Sequence, residues 1–237
     1  MNRKTSYLLL TTILVGLLAC SDSEDKIPEE AMGLERLNNA SSAAIAISDN
    51  YGARVAEDIL NSGGNAVDAA VATGFALAVT FIDAGNIGGG GFMTVKMDND
   101  IAFLDYREKA PLRAHKDMYL DAQGNVIDNI TLIGGQAAGV PGTVAGFWEA
   151  HKRFGKLPWN EVVKPAIDLA ANGFLPAPVL VDSIHSMEQR FDGKTNFNDY
   201  FKHINSSKVF KQPELAKTLA RIAEFGADDF YRGKTAA

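Results

Sequence analysis

The chain has a single cysteine, Cys20, in 237 residues, so it can form no intrachain disulfide. It lacks any excess of positive charge. Twenty-three basic residues stand against 29 acidic ones, a formal net charge of -6 that leaves no basic footprint for nucleic acid. There are only four histidines, at 115, 151, 185 and 203, and none has another histidine or a cysteine three or four residues away. No G-x-S-x-G elbow is present for a serine hydrolase, and no Lys-Ser or Lys-Thr follows the glycine-rich run as a P-loop would need. Internal repeats and low-complexity tracts are missing as well. No apolar run reaches the roughly 20 residues that a membrane-spanning helix needs.

What is present begins with an export pattern. Arg3 and Lys4 precede LLLTTILVGLLA, an apolar stretch of twelve residues at 8–19. Its length fits the h-region of a signal peptide. Leu17-Leu18-Ala19-Cys20 resembles a bacterial lipobox, with Cys20 the acylated first residue of the mature chain. A plain signal peptide with a chance cysteine is the alternative. The next residues, SDSEDKIPEE, are acidic and poor in apolar side chains, as in a disordered tether. The expected organisation is a signal at 1–19, a tether at 20–42 and a folded domain from 43 to 237.

Within that domain, Ala44 to Ser48 alternates and reads as a strand. Asp49 or Asn50 can cap a helix whose apolar face carries Val55, Ile59 and Leu60, and Gly63-Gly64 ends it. Asn65 with Asp68 makes a capping box for AVDAAVATGFALAV, which is apolar almost all round and therefore buried. Phe92 to Met97 and Ile101 to Tyr106, separated by Asp98-Asn99-Asp100, form a predicted hairpin. Further helices are expected at 142–153, 159–172, 176–191 and 213–225, with stops at Gly155, Gly173 and Gly226. Pro165 predicts a kink or a late start. Asp192 to Ser207 resists assignment, and Asp228-Asp229 reads as solvated or as the start of a short helix. Early strands and late helices without alternation indicate a layered α+β fold rather than a doubly wound sheet.

Two features carry possible chemistry. The run G-N-I-G-G-G-G at 85–91 follows a helix and opens a strand, the reverse of a dinucleotide fingerprint. Four glycines in a row permit positive φ and close approach. They make either a bare wall beside a ligand or a tightly packed turn. Arg107 directly follows the second hairpin strand. Its planar fork suits a carboxylate held at two points. The alternative is a surface arginine paired with Glu108 or Asp105, worth at most ~1 kcal/mol.

Four segments resemble the γ-glutamyltransferase (glutathione hydrolase) family: LNSGGNAVDAAVA at 60–72, IGGGGFM at 87–93, LDYREKAP at 104–111 and GVPGTVAG at 139–146. They occur in the family's order, and the likeness covers about 43–233. The resemblance implies an N-terminal nucleophile hydrolase fold, a four-layer αββα sandwich of which this chain is the N-terminal part. It implies a precursor that cleaves itself, and a small subunit whose new N-terminal threonine attacks γ-glutamyl amides such as glutathione. The resulting acyl-enzyme passes its acyl group to water or an amino acid, with no metal or organic cofactor. Arg107 matches the arginine that binds the substrate α-carboxylate, and Gly88, Gly89, Gly90 and Gly91 match a structural glycine loop near the site. No threonine here sits in the family's Thr-Thr-His type cleavage site, so the nucleophile is expected beyond residue 237. Phe81 to Asn86 replace a stretch that often holds proline and serine. The expected partners are the small subunit, the γ-glutamyl substrate and, through Cys20, a membrane of the bacterial cell envelope. The alternatives are a related acylase and a non-catalytic lipoprotein made of this fragment alone, which would expose sheet edges and aggregate.

Overall fold

The computed structural model describes residues 43–237. Cys20, the predicted signal and the predicted tether lie outside the described residues. Eight helices and one hairpin follow one another as α1 (Asn50–Asn61), α2 (Ala66–Thr80), β1 (Phe92–Met97), β2 (Asp100–Asp105), α3 (Thr143–Phe154), α4 (Trp159–Asn172), α5 (Pro178–Phe191), α6 (Phe197–Phe201), α7 (Pro213–Phe225) and α8 (Ala227–Arg232).

The helix α2 forms the centre. Its Val67, Val71, Phe75 and Val79 recur every four residues and are all buried, and α1 and α4 pack against it. On α2, Gly74 is required by packing: a Cβ there would lie 2.3 Å from the Phe147 ring. Phe147 and Trp159 both meet Phe75 edge-on, at 5.1 and 5.6 Å between ring centroids. Such pairs add about 0.5–1.5 kcal/mol each beyond the area they bury. Trp159 also donates its indole N–H to the carbonyl of Ile222, 2.8 Å away, which ties α4 to α7.

The capping box at the start of α2 forms as the sequence implies. The Asn65 side chain accepts from the amides of Val67 and Asp68, and Asp68 accepts from the amide of Asn65. Asp68 does more than cap. It is fully buried and also accepts the amides of Lys156 (3.0 and 3.1 Å) and Leu157 (3.3 Å). Gly155 makes room, since a Cβ there would stand 2.9 Å from Asp68 Oδ1. One carboxylate thus fastens the start of α2 to the turn between α3 and α4. His151 closes the clasp, its Nε2 donating to the Leu157 carbonyl at 2.8 Å.

Several expectations shift. Ala44 to Ser48 does not form a strand, because a ladder needs a neighbour and the only sheet among the described residues is β1 with β2. The second hairpin strand begins at Asp100, one residue earlier than expected, since Asp98 takes positive φ (51°) and closes the turn with Asn99 alone. Pro165 does not delay α4, which starts at Trp159. A short helix, α6, lies inside the unassigned stretch. Asp229 is buried rather than solvated: its carboxylate accepts from Thr235 and lies 3.3 Å from Arg221 Nε.

The hairpin carries large apolar side chains on both faces. Val95 and Leu104 point into the core. On the other face Phe92 and Phe103 stack at 5.6 Å and, with Ile101, are exposed. The helix α3 packs against β2 and against α8, and the long connection from Glu108 to Pro141 carries a 3₁₀ turn at Gly135–Ala137 and a bridge between Leu120 and Val126.

Candidate active site

The site is built where β2 ends. Asp105 terminates the strand by taking the Arg107 amide on its own side chain, 3.0 Å away. Tyr106 keeps the hairpin register one step further, exchanging both backbone hydrogen bonds with Gly91 at 3.0 and 3.3 Å. Its ring turns inward onto Phe147, at 5.8 Å, and burial raises its hydroxyl pKa above the ordinary value. Alternation then sends Arg107 to the opposite, exposed face.

Two glycine-bearing segments wrap this corner. A Cβ on Gly90 would lie 2.5 Å from the Tyr106 carbonyl oxygen and 2.9 Å from Arg107 Cα. One on Gly142 would reach the same carbonyl, and one on Gly146 would strike the Tyr106 ring at 2.2 Å. The Gly89 carbonyl accepts the amides of Gly142 (2.7 Å) and Thr143 (3.0 Å), which fixes the start of α3 against the glycine run. The run is therefore a packed turn at Gly89, Gly90 and Gly91. It uses close approach, and none of Gly85 to Gly91 takes positive φ. Gly88 differs, with nothing within 4 Å of its Cβ position.

Arg107 stands at the rim with 62% of its side chain exposed. Its Nε donates to Glu108 Oε2 at 3.0 Å, and the guanidinium lies 5.8 Å from the Phe92 ring centroid. Glu108 is held below the ordinary carboxylate pKa, first by its own backbone amide and then by Arg107. The ion pair expected of a surface arginine is present, but it engages only Nε. Both terminal nitrogens remain without a hydrogen-bond partner among the described residues, so the outer half of the fork faces solvent. Alongside runs a cleft of about 500 Å³, lined by Arg107, Tyr106, Lys109, Gly142, Glu149 and Tyr231 among others. Tyr231 helps shape its wall by accepting the Ala145 amide at 3.1 Å.

The structure thus brings Arg107 together with Gly89, Gly90 and Gly91 and leaves Gly88 in the open. Sequence reasoning missed Tyr106, Gly142 and Gly146 as the parts that set the corner. The four-residue spacing of the two glycines, one helical turn, was the available signal. Lys109 and Tyr231 left no such signal. No group of three or more His, Cys, Asp or Glu side chains able to hold a metal occurs among the described residues.

Residues 52–237, which include all four motifs, match the profile of the family described as Gamma-glutamyltranspeptidase. The chain belongs to the γ-glutamyltranspeptidase family. It is 60% identical over 193 residues to the glutathione hydrolase proenzyme of Pseudomonas aeruginosa, a match covering 81% of this chain and 35% of that protein. Among solved structures, the γ-glutamyltranspeptidase from Pseudomonas nitroreducens complexed with L-DON shares 58% identity and a TM-score of 0.80, over 83% of this chain and 59% of that one. The Helicobacter pylori γ-glutamyltranspeptidase also superposes with a TM-score of 0.80, at 41% identity, over 84% of this chain and 59% of its own. These neighbours place the α+β arrangement in the N-terminal nucleophile hydrolase class. The chain spans about a third of the length of the curated relatives it matches.

Proposed function

We propose that this chain supplies the donor-binding corner of an enzyme that transfers and hydrolyses γ-glutamyl groups, acting on glutathione and other γ-glutamyl amides. The observation that carries the reading is the corner at Tyr106–Arg107. Two other motif segments, 87–93 and 139–146, fix its backbone, and the arginine presents from it two nitrogens that have no partner among the described residues. A carboxylate matches that fork in shape and charge. Arg107 holds the α-carboxylate of the γ-glutamyl group and so directs the γ-carbonyl away from the rim.

A threonine from outside residues 43–237, made N-terminal by cleavage of the precursor, attacks that carbonyl. Its amino group takes the hydroxyl proton and returns it to the departing amine. The acyl-enzyme is then released to water or to an amino acid. The partner that carries this threonine is the small subunit of the same precursor. In the complete enzyme, release of the amine from a γ-glutamyl anilide tests the reading. Turnover of the anilide is expected, and turnover confined to amides without a γ-glutamyl group sinks it.

The second part of the proposal is location. Acylation of Cys20 anchors the chain in the bacterial cell envelope, facing the periplasm or on the outer-membrane surface. The lipobox pattern at 17–20 supports this. Replacing Cys20 by serine is expected to move the protein from the detergent phase to the aqueous phase. An unchanged partition overturns the anchor and leaves the enzymatic reading intact.

A further inference from the structure

The connection that leaves the site corner carries a second surface. Lys109 pairs with Val140 through two backbone hydrogen bonds, 3.0 and 2.7 Å, which pins both ends of the connection beside Arg107. A turn then closes from the Ala114 amide to the Pro111 carbonyl at 2.9 Å, and places Leu112 and Arg113 at its tip. Leu112 is fully exposed, at 106% of its reference area. Lys109, Arg113 and Lys116 around it are exposed and form no ion pair among the described residues, where Arg107 and Arg232 do. From 109 to 116 there is no acidic residue, in a chain whose net charge is -6. Glu108 and Asp117 bound the segment on either side, and Glu108 is already engaged by Arg107.

An exposed leucine flanked along the chain by exposed cations is poorly matched to water and well matched to a bilayer surface. The apolar side chain enters the headgroup boundary while the cations meet phosphate. We propose that the 109–116 turn docks the folded body onto anionic lipid headgroups. This contact orients the Arg107 rim relative to the membrane and acts independently of acylation at Cys20. Each cation near an anionic surface strengthens partitioning by roughly fivefold, so the contact is weak and salt-sensitive by design of its charges.

The test uses the complete protein with Cys20 replaced by serine, mixed with vesicles of phosphatidylcholine alone or with phosphatidylglycerol added. Sedimentation with the anionic vesicles only, weakening at high salt, is the expected result. Arg113→Glu with Lys116→Glu is expected to reduce binding at least about twentyfold. Leu112→Ser is expected to reduce it further, with turnover of a γ-glutamyl anilide unchanged. Equal binding to both vesicle types, no binding, or binding indifferent to these substitutions overturns the proposal. Maleimide labelling of Leu112→Cys in the same background supplies a second readout. Rapid labelling that anionic vesicles suppress supports lipid docking. Slow labelling in their absence means that a protein surface covers the turn, and also overturns it. Loss of anilide turnover in the unmodified protein would count against the enzymatic reading and leave this one standing.

Discussion

Replacing Arg107 by alanine in the complete protein tests the proposed carboxylate clamp. The side chain is 62% exposed and its one ion pair among the described residues, with Glu108, lies at the surface. Its removal therefore costs the fold under ~1 kcal/mol. The loss falls on the substrate instead. A charge-assisted hydrogen bond contributes about 1.5–3 kcal/mol, and two nitrogens of the fork are free to form them. Full burial of such a pair would raise the figure toward ~5 kcal/mol, but an open rim places it lower. We expect a loss of about 2–3 kcal/mol, a roughly 30- to 150-fold fall in kcat/KM. The assay is amine release from a γ-glutamyl anilide, run beside a donor lacking the α-carboxylate. Substitution should leave the second donor nearly unaffected, because it has nothing to offer the fork. Arg107→Lys should fall between the two, keeping the charge and losing the planar pair. A change below about threefold, or equal losses on both donors, would refute the assignment of Arg107 to the substrate carboxylate.

Other substitutions test the scaffold. Gly90→Ala places a methyl against the Tyr106 and Arg107 backbone and should destabilise by about 1–3 kcal/mol, whereas Gly88→Ala meets open space and should stay within ~0.5 kcal/mol, both read from denaturant unfolding. Asp68→Ala leaves the amides of Asn65, Lys156 and Leu157 without their acceptor and should cost about 3–5 kcal/mol, so an unchanged unfolding midpoint would contradict the clasp. The Thr235 hydroxyl, then the Lys234 amide and Arg221, hold the Asp229 carboxyl below its ordinary pKa against the opposing effect of burial. Its contribution to stability is complete above the ordinary carboxylate pKa of about 4 and is lost as pH falls through the lower folded value. Asp229→Asn should flatten that acid limb of the stability profile, and an unchanged limb would show that the carboxylate is not coupled to folding.

Much of this was legible locally. The box at Asn65 and Asp68, the stops at Gly155, Gly173 and Gly226, and the hairpin all follow from residues within a few positions of one another. Two of the failures share a cause, namely partners that lie outside the segment itself. Ala44 to Ser48 has strand periodicity, but a strand is a relation to a neighbour that periodicity cannot supply. Asp229 looked solvated because its partners, Arg221 and Thr235, come from outside its own helix. At the site, Arg107 and the glycine run were visible as residue types. Their meeting depends on Gly142 and Gly146, more than thirty residues further on, whose missing side chains admit Tyr106. The direction in which the arginine fork points is a consequence of that packing and of strand alternation together.

The hydrogen bonds between Lys109 and Val140 have a consequence for how the chain can vary. They make everything between them a closed excursion whose length is decoupled from the corner it leaves. Doubling or halving a flexible loop changes its closure entropy by only about 0.6 kcal/mol. Insertions, deletions or even new chain termini near the Asp121–Asn125 turn would therefore cost the corner little. The chain can change what this excursion displays to its surroundings while Arg107 stays where it is.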